Sequence, residues 1–411
     1  MGETTELTGG KRKAAIGLIW ATALMDAISL GIMIPVMPNL VRQFVEGSYT
    51  SASDYTGVFG TAWALMQFLC SPIVGLLSDR FGRRPVLLIS IAGLGVDFLF
   101  MALAPSLALL FVGRLISGMT AASFSTASAY VADITEPKDR ARAFGMMGAA
   151  WGFGLVIGPG IGGTLGEINL RLPFYVAAAM ALVNWLYGYF VLPESLPVER
   201  RAKEFDWKKA NPLGSLRLLR SAPGLVRLAI VNFLFHLAHN VLPALFVLYT
   251  GYRYHWGPRK VGLMLMATGV GNIVVQAFLV RRVVKKIGER GSLLMGLTMG
   301  AIGFAVYGMA STPFAYYCGM PIFAFMGLAQ PGLQGIMSRS IGQSEQGQLQ
   351  GANSSIMGLT GMIGPALFTR TFAWAVARND TLHLPGLPVL IASGLLVAAL
   401  AIAFGVKRVE D

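Results

Sequence analysis

The sequence predicts an all-helical membrane protein of twelve transmembrane helices in two six-helix bundles, and three observations carry that prediction. Hydrophobic residues fill 55% of the 411 positions and charged residues only 13%, with a mean hydropathy of +0.61. Apolar blocks of about 20 residues, the length that crosses a bilayer as a helix, recur from end to end. The basic residues, which give a net charge of +13, fall almost entirely in the gaps between those blocks.

In chain order the blocks lie at roughly 14–37, 57–77, 86–104, 107–130, 143–165 and 173–193, then at roughly 225–249, 260–280, 292–311, 313–337, 350–374 and 385–405. The first is too long for the apolar region of a secretory signal, and no small-residue cleavage site follows it, so it is expected to remain as a span. Between the second and third blocks runs Gly75-Leu-Leu-Ser-Asp79-Arg80-Phe-Gly82-Arg83-Arg84-Pro85. A tight connection between membrane helices needs glycine for unusual backbone angles and basic groups that stay in the headgroup zone. Asp79, one acid among Arg80, Arg83 and Arg84, can form a breakable ion pair that latches one conformation. The competing reading is that the arginines only hold topology.

The longest polar stretch is 194–224, from Glu194-Ser-Leu-Pro through Arg200, Arg201, Lys203, Glu204, Lys208 and Lys209. It reads as a cytoplasmic linker between an N-terminal bundle (1–193) and a C-terminal bundle (225–411). A weaker echo of the first turn, Arg281-Arg-Val-Val-Lys-Lys-Ile-Gly-Glu-Arg290, follows the eighth block, so the halves read as repeats about an axis along the membrane normal.

Placing the N-terminus inside puts Lys11, Arg12, Lys13, Lys138, Arg140, Arg142, the run from Arg200 to Arg227, the Arg281 cluster, Arg339, Lys407 and Arg408 on the cytoplasmic side. Only Arg42, Arg171, Arg253, Arg259, Lys260, Arg370 and Arg378 fall outside, which satisfies the positive-inside rule with both termini cytoplasmic. The basic excess is thus a topology signal and not a nucleic-acid surface. Cys70 and Cys318 fall inside predicted spans without metal-ligating neighbours and read as buried packing residues. No nucleotide-binding loop, metal cluster or nucleophile–base arrangement is present, so no enzymatic reaction and no cofactor is expected, and energy has to come from a gradient.

Charges inside spans are costly and need an account. Asp26 lies mid-way along the first span, Asp97 along the third and Arg114 in the fourth. Desolvation favours the neutral form of a carboxylate, the property a proton carrier uses. Asp26 is the first choice for proton exchange, with Asp97 and Arg114 as partners in coupling. The alternative is that one acid only pairs with Arg114 to hold the bundle. Span seven offers His236 and His239, on one helix face, then Asn240 and Pro243; histidine titrates near neutral pH, but the pair also suits interhelical hydrogen bonding. His255 and His383 sit at span edges. A substrate cavity is expected from Asp26, Asn39, His236, His239 and Asn240, extended by Asn272 with Gln276 and Gln330 with Gln334, each pair at i and i+4. Bonds between helices are the alternative for each amide.

Several strings together resemble the major facilitator superfamily, in particular its drug/proton antiporter branch with the tetracycline efflux pumps, over almost the whole chain. They are Asp26-Ala-Ile-Ser-Leu-Gly-Ile-Met-Ile-Pro-Val-Met-Pro38, the Gly75–Pro85 turn, Ala129-Tyr-Val-Ala-Asp133-Ile-Thr135, Leu192-Pro-Glu-Ser195 and Gln346-Gly-Gln-Leu-Gln-Gly351. Gly154-Leu-Val-Ile-Gly158-Pro159-Gly-Ile-Gly162-Gly163 resembles the antiporter motif, with a partial counterpart at Gly361–Pro365. Proline there removes a helix hydrogen bond and the glycines admit a neighbouring helix, so the stretch can bend and seal; ordinary tight packing is the competing reading.

The resemblance implies a monomeric, proton-driven exporter of a small amphipathic compound in a bacterial inner membrane, tetracycline being the leading candidate. It matches Asp26, Asp97 and Arg114, and conformational gating is expected from Gly75, Asp79, Arg80, Gly82, Arg83, Arg84 and Asp133, with Gly154, Gly158, Pro159 and Gly162. Two departures limit it: the ninth span, Gly296-Leu-Thr-Met-Gly-Ala-Ile-Gly303, lacks the acid of those pumps, and Asn272 stands where some place histidine. An uncoupled facilitator or importer of a metabolite, and a ligand sensor of transporter-like build, are the rival readings.

Overall fold

A computed structural model describes residues 9–121, 123–136, 139–202, 211, 213–221, 224–342 and 345–405. The side chains of Lys11, Arg12 and Lys13, together with Lys138, Lys203, Glu204, Lys208, Lys209, Lys407 and Arg408, lie outside the described residues. The helices are α1 (Gly9–Met33), α2 (Met37–Gln43), α3 (Tyr49–Phe81), α4 (Arg83–Leu103), α5 (Leu107–Thr120), α6 (Ser123–Ile134), α7 (Arg140–Ile168) and α8 (Leu172–Val191). They continue as α9 (Leu225–His239), α10 (Val241–Tyr254), α11 (Pro258–Val274), α12 (Val280–Met309), α13 (Pro313–Ala324), α14 (Ala329–Arg339), α15 (Gln346–Ala377), α16 (Asn379–Leu382) and α17 (Leu387–Phe404).

Several crossings are helix pairs, and proline explains where they break. Pro35 cannot donate to the Gly31 carbonyl, so the chain tightens, with Ile34 N–H bonding Gly31 at 3.2 Å, and restarts as α2. Pro243 likewise frees the His239 carbonyl where α9 gives way to α10, and Pro331 frees Gly327 in the 3-10 turn Phe325–Leu328 between α13 and α14. A π turn, Val275–Leu279, carries α11 into α12 without a break. Counting α1–α2, α5–α6, α9–α10 and α13–α14 as one crossing each, with α16 left as a short connector, gives the twelve transmembrane helices expected. Among the described residues nine helical stretches are each long and apolar enough to span by themselves, Pro258–Met309 among them as one.

Element limits differ from the sequence reading where polar residues are helical. The second span begins two turns early, because Ser48 Oγ accepts the Ser51 N–H at 3.3 Å and starts a helix through residues that look like a loop. The turn that ends α3 is a single residue: Gly82 has φ 107° between two helices, so Gly75 to Arg80 are helical. The Arg281 cluster is also helical, up to one break at Gly288 with φ 73°. Cys70 is half-buried and Cys318 exposed, against the expectation that both are buried, because residues on a bilayer-facing surface need only be apolar.

Two compact units emerge, one of residues 1–37 and 69–211, the other of residues 38–68 and 212–411. In the first, Ile19, Leu87, Ile91, Tyr130, Val131, Met147 and Leu192 form a buried core with Trp185 against it. Its tightest seam is α1 on α7. Built at Gly158, a Cβ would stand 2.7 Å from both Gly31 Cα and the Ile28 carbonyl oxygen, and at Gly162 2.0 Å from the Ile32 oxygen. Between membrane helices no hydrophobic gain drives association, so such backbone approach supplies dispersion contact instead. In the second unit the N-terminal part of α3 lies on α15: Ser53 donates to the Thr369 carbonyl at 2.9 Å, and Gly60 faces the Pro365 ring.

Gly162→Ala forces the α1–α7 seam apart, at a cost of about 1–3 kcal/mol. It should lower the thermal midpoint in detergent, whereas Gly152→Ala on the same helix, where a Cβ meets nothing within 4 Å, should leave it unchanged. Equal midpoints for the two variants would contradict this packing.

Candidate functional site

The three intramembrane charges all belong to the first unit, and they divide into two arrangements. Asp97 and Arg114, 0% and 4% exposed, hold each other across α4 and α5 by two contacts, one of them Arg114 Nε to Asp97 Oδ1 at 3.2 Å. The side-on geometry lets one carboxylate face one guanidinium, the pairing in which a buried charge is tolerable. Asp26, 2% exposed, accepts a hydrogen bond at 2.9 Å from the side-chain amide of Asn184, which is fully buried on α8 and also approaches the Thr22 carbonyl at 3.5 Å. The Asn184 Oδ1 has no hydrogen-bond partner among the described residues. Asn184 is a residue the sequence reading missed; one amide in the otherwise apolar run of α8 was the available signal.

Around Gly82 the charged residues form a closed network centred on Arg83. Its guanidinium donates to Asp79 Oδ1 at 2.5 Å, to Ser78 Oγ at 3.0 Å and to Asp133 Oδ2 at 3.0 Å. Glu194 comes from more than a hundred residues along the chain to cap α4, accepting the backbone N–H of Arg83 at 2.8 Å and of Arg84 at 3.3 Å. Gly82 itself has no side chain to cap the helix, and a Cβ there would stand 2.3 Å from Glu194 Oε2. A carboxylate at a helix N-terminus meets both the unpaired amides and the favourable end of the helix dipole. Glu194 also accepts from the Ser195 and Leu196 amides at 3.0 and 3.1 Å and lies 3.7 Å from Arg201. Arg84 reaches the Tyr189 carbonyl, and Arg80 lies over the Phe81 ring at 5.6 Å. The sequence singled out Asp79, Arg83 and Asp133, but the role of Glu194 was illegible, since a cap supplied across the fold leaves no local pattern. Gly75 is open, with nothing within 4 Å of a built Cβ, while Gly154, Gly158, Pro159 and Gly162 lie in the α1–α7 seam.

The remaining expected residues belong to the second unit. His236 is half-buried, its Nε2 without a partner among the described residues, His239 is exposed, and Phe235 lies against both rings. Asn240, at the break between α9 and α10, donates to the His236 carbonyl at 2.8 Å, and its side chain rests on Gly364, where a Cβ would stand 2.5 Å from Asn240 Cβ. On α11 and the π turn, Gln276 donates to Asn272 Oδ1 at 3.2 Å, both residues being exposed. Asn272 Oδ1 abuts Gly327 of the 3-10 turn, Gln330 Oε1 is buried with no partner among the described residues, and Gln334 is exposed. Asn39 is half-buried on α2. Among the described residues no hydrogen bond joins the α9–α10 group to the Asn272 pair. The acid-free stretch of α12 is a packing face: a Cβ at Gly300 would stand 2.9 Å from Leu396 Cδ1 and from Met326 Cγ, and one at Gly296 2.3 Å from the Ala329 nitrogen. At Gly296 the obstacle is backbone and a carboxylate side chain has no room, while at Gly300 it would have to displace the Leu396 and Met326 side chains.

Removing one member of a buried ion pair strands the other. Asp97→Asn or Arg114→Leu alone should cost about 3–5 kcal/mol of stability, and Asp97→Leu with Arg114→Leu together should recover most of it. Thermal unfolding of the three variants checks this; equal losses in all three would contradict it. Glu194→Ala, which uncaps α4, should cost about 1.5–3 kcal/mol, with Glu194→Gln between it and the parent in the same assay.

Comparison with known proteins places this architecture. A family model described as Major Facilitator Superfamily matches residues 19–365. The chain is 38% identical over 363 residues to the class C tetracycline resistance protein of Escherichia coli, covering 88% of this chain and 91% of that one. It is 35% identical over 374 residues to the class G tetracycline resistance protein of Vibrio anguillarum, covering 89% and 94%. The crystal structure of a human organic anion transporter has the same fold, with a TM-score of 0.70 at 23% identity over 95% of this chain and 99% of that one. A chain of twelve membrane helices matched over this length belongs to the major facilitator superfamily.

Proposed function

We propose that the protein exports a small amphipathic drug in exchange for protons, with a tetracycline as the leading substrate, by alternating access. The reading rests on one observation above the rest: a carboxylate buried in span one, Asp26, that accepts a hydrogen bond from the neutral amide of Asn184 at 2.9 Å. An amide serves both states of such a group. Its nitrogen donates to the carboxylate, and rotated by half a turn its oxygen accepts from the carboxylic acid, so gaining a proton does not leave a buried polar atom stranded. Asp97 answers to a guanidinium instead, and in the proposed cycle the Asp97–Arg114 pair holds α4 to α5 while Asp26 exchanges the proton.

Substrate enters from the cytoplasmic side, and a proton arriving from outside neutralises Asp26 and releases it. The polar groups at His236, His239, Asn240, Asn272, Gln276, Gln330 and Gln334 offer neutral hydrogen-bonding partners to a multifunctional organic molecule, with Asn39 near the outer end. The network around Arg83 locks one state through contacts that a modest rearrangement of α3 can break, and the α1–α7 seam is its flexible counterpart. The proposal places the chain in a bacterial inner membrane as a monomer with both termini cytoplasmic, powered by the proton gradient with no bound cofactor. The relatives named for tetracycline resistance support the substrate assignment. The packed, acid-free face of α12 favours one competing reading, an uncoupled facilitator.

Asp26→Asn separates them. The variant should exchange labelled tetracycline between the two sides of a proteoliposome yet lose accumulation driven by a pH gradient, and full gradient-driven activity in it would refute the carrier role. Asn184→Leu should weaken coupling in the same assay, and the double variant should be no worse than Asp26→Asn alone, because the two act as a unit. Additive losses would show that Asn184 serves some other purpose. A wild-type protein that exchanges drug with no response to the gradient would be the facilitator.

A further inference from the structure

The continuous helix from α11 through the π turn into α12 carries exposed Val270, Val274 and Phe278 along its membrane stretch. Just beyond them it presents Arg281, Arg282, Lys285 and Lys286, all exposed. Arg281 stacks above Lys285 and Arg282 above Lys286 at i and i+4, so two turns of helix hold four like charges side by side, an arrangement that is unfavourable by itself. Among the described residues none of the four has a carboxylate or hydrogen-bond partner. The nearest acid in sequence, Glu289, is engaged by Arg339 at 2.9 Å, and Arg290 donates to the Phe404 carbonyl at 2.8 Å.

The corresponding turn of the first unit is neutralised from within. There Arg83, Arg84 and Arg201 meet Asp79, Asp133, Glu194 and the Tyr189 carbonyl. Two turns at matching places in the two halves therefore solve the same problem differently: the first sets several acids against its arginines, whereas in the second the acid Glu289 is taken by Arg339 and the four-cation stripe has none among the described residues. The bare cations lie where an apolar helix surface ends, which is where a bilayer presents phosphates.

We propose that Arg281, Arg282, Lys285 and Lys286 form a binding site for the phosphate headgroups of anionic phospholipids, with the acyl chains lying along Val274 and Phe278. This rests on the membrane placement proposed above. A phosphodiester is an acceptor-only anion; the two guanidinium forks can each grip it through two N–H groups, and the two ammonium groups add point charges. Each such cation contributes about a fivefold preference for an anionic surface at moderate salt. The bound lipid relieves the repulsion within the stripe and ties this helix to the leaflet.

The test uses the full chain in nanodiscs of mixed phosphatidylglycerol and phosphatidylcholine, with the lipids that stay bound on release counted by native mass spectrometry. Both faces of a nanodisc carry the same lipids, so the result depends neither on orientation nor on transport. The parent should retain phosphatidylglycerol in excess over its share, and the excess should fall with ionic strength. R281Q/R282Q/K285Q/K286Q should lose the excess by at least about tenfold. R281K/R282K should keep most of it, and R217Q/R220Q, on another polar segment, all of it. Should the fourfold variant fail to fold, K285Q/K286Q carries the test with a partial loss. Retention by the variants equal to the parent's, or an equal loss in R217Q/R220Q, would overturn the proposal.

Discussion

Hydrocarbon supplies no hydrogen bonds, so every charge this chain places at membrane depth has to find its partner within the chain. That constraint sorts the buried residues of the first unit. Arg114 takes Asp97 in a side-on ion pair, and Asp26 takes the amide of Asn184. In the proposed cycle this difference in partner lets Asp97 stay charged while Asp26 exchanges a proton. The remainder of the unit holds these pairs in place: glycines bring α1 within backbone contact of α7, and Tyr130 ties α6 to the Pro193 carbonyl at 2.8 Å beside the Glu194 cap.

The network around Arg83 answers the same constraint at a membrane edge, where water can compete. Its ion pairs are partly exposed, with Asp79 at 46% and Asp133 at 23% of side-chain surface. Contacts of that kind are individually weak, which is compatible with the latch role proposed for them. Glu194 differs, accepting backbone amides at the start of α4 and so anchoring that helix N-terminus. In the proposed cycle it is the fixed side against which the arginine contacts change.

Much of the fold was legible because bilayer thickness and charge placement act on sequence directly. The twelve apolar blocks, the glycine between α3 and α4, and the intramembrane Asp26, Asp97 and Arg114 all stand out in the chain. What was hidden depended on partners far apart in sequence or on local helix chemistry. Nothing near Glu194 announces that it caps a helix beginning at Arg83, and Asn184 gains meaning only when α8 lies against α1. Polar segments at 49–56 and 281–287 look like loops, yet a Ser48 cap and the α11–α12 continuity make them helical. The same principle accounts for α12, whose missing acid was read as a departure and whose geometry shows a small-residue face filled by Leu396, Met326 and Ala329.

Purified protein in liposomes loaded with a pH-sensitive dye, held under a proton gradient and then given tetracycline, puts drug export driven by proton entry to the test. Drug-dependent proton flux that vanishes in Asp26→Asn is expected. Tetracycline binding without any proton movement, in protein that exchanges the drug across the membrane, would contradict it.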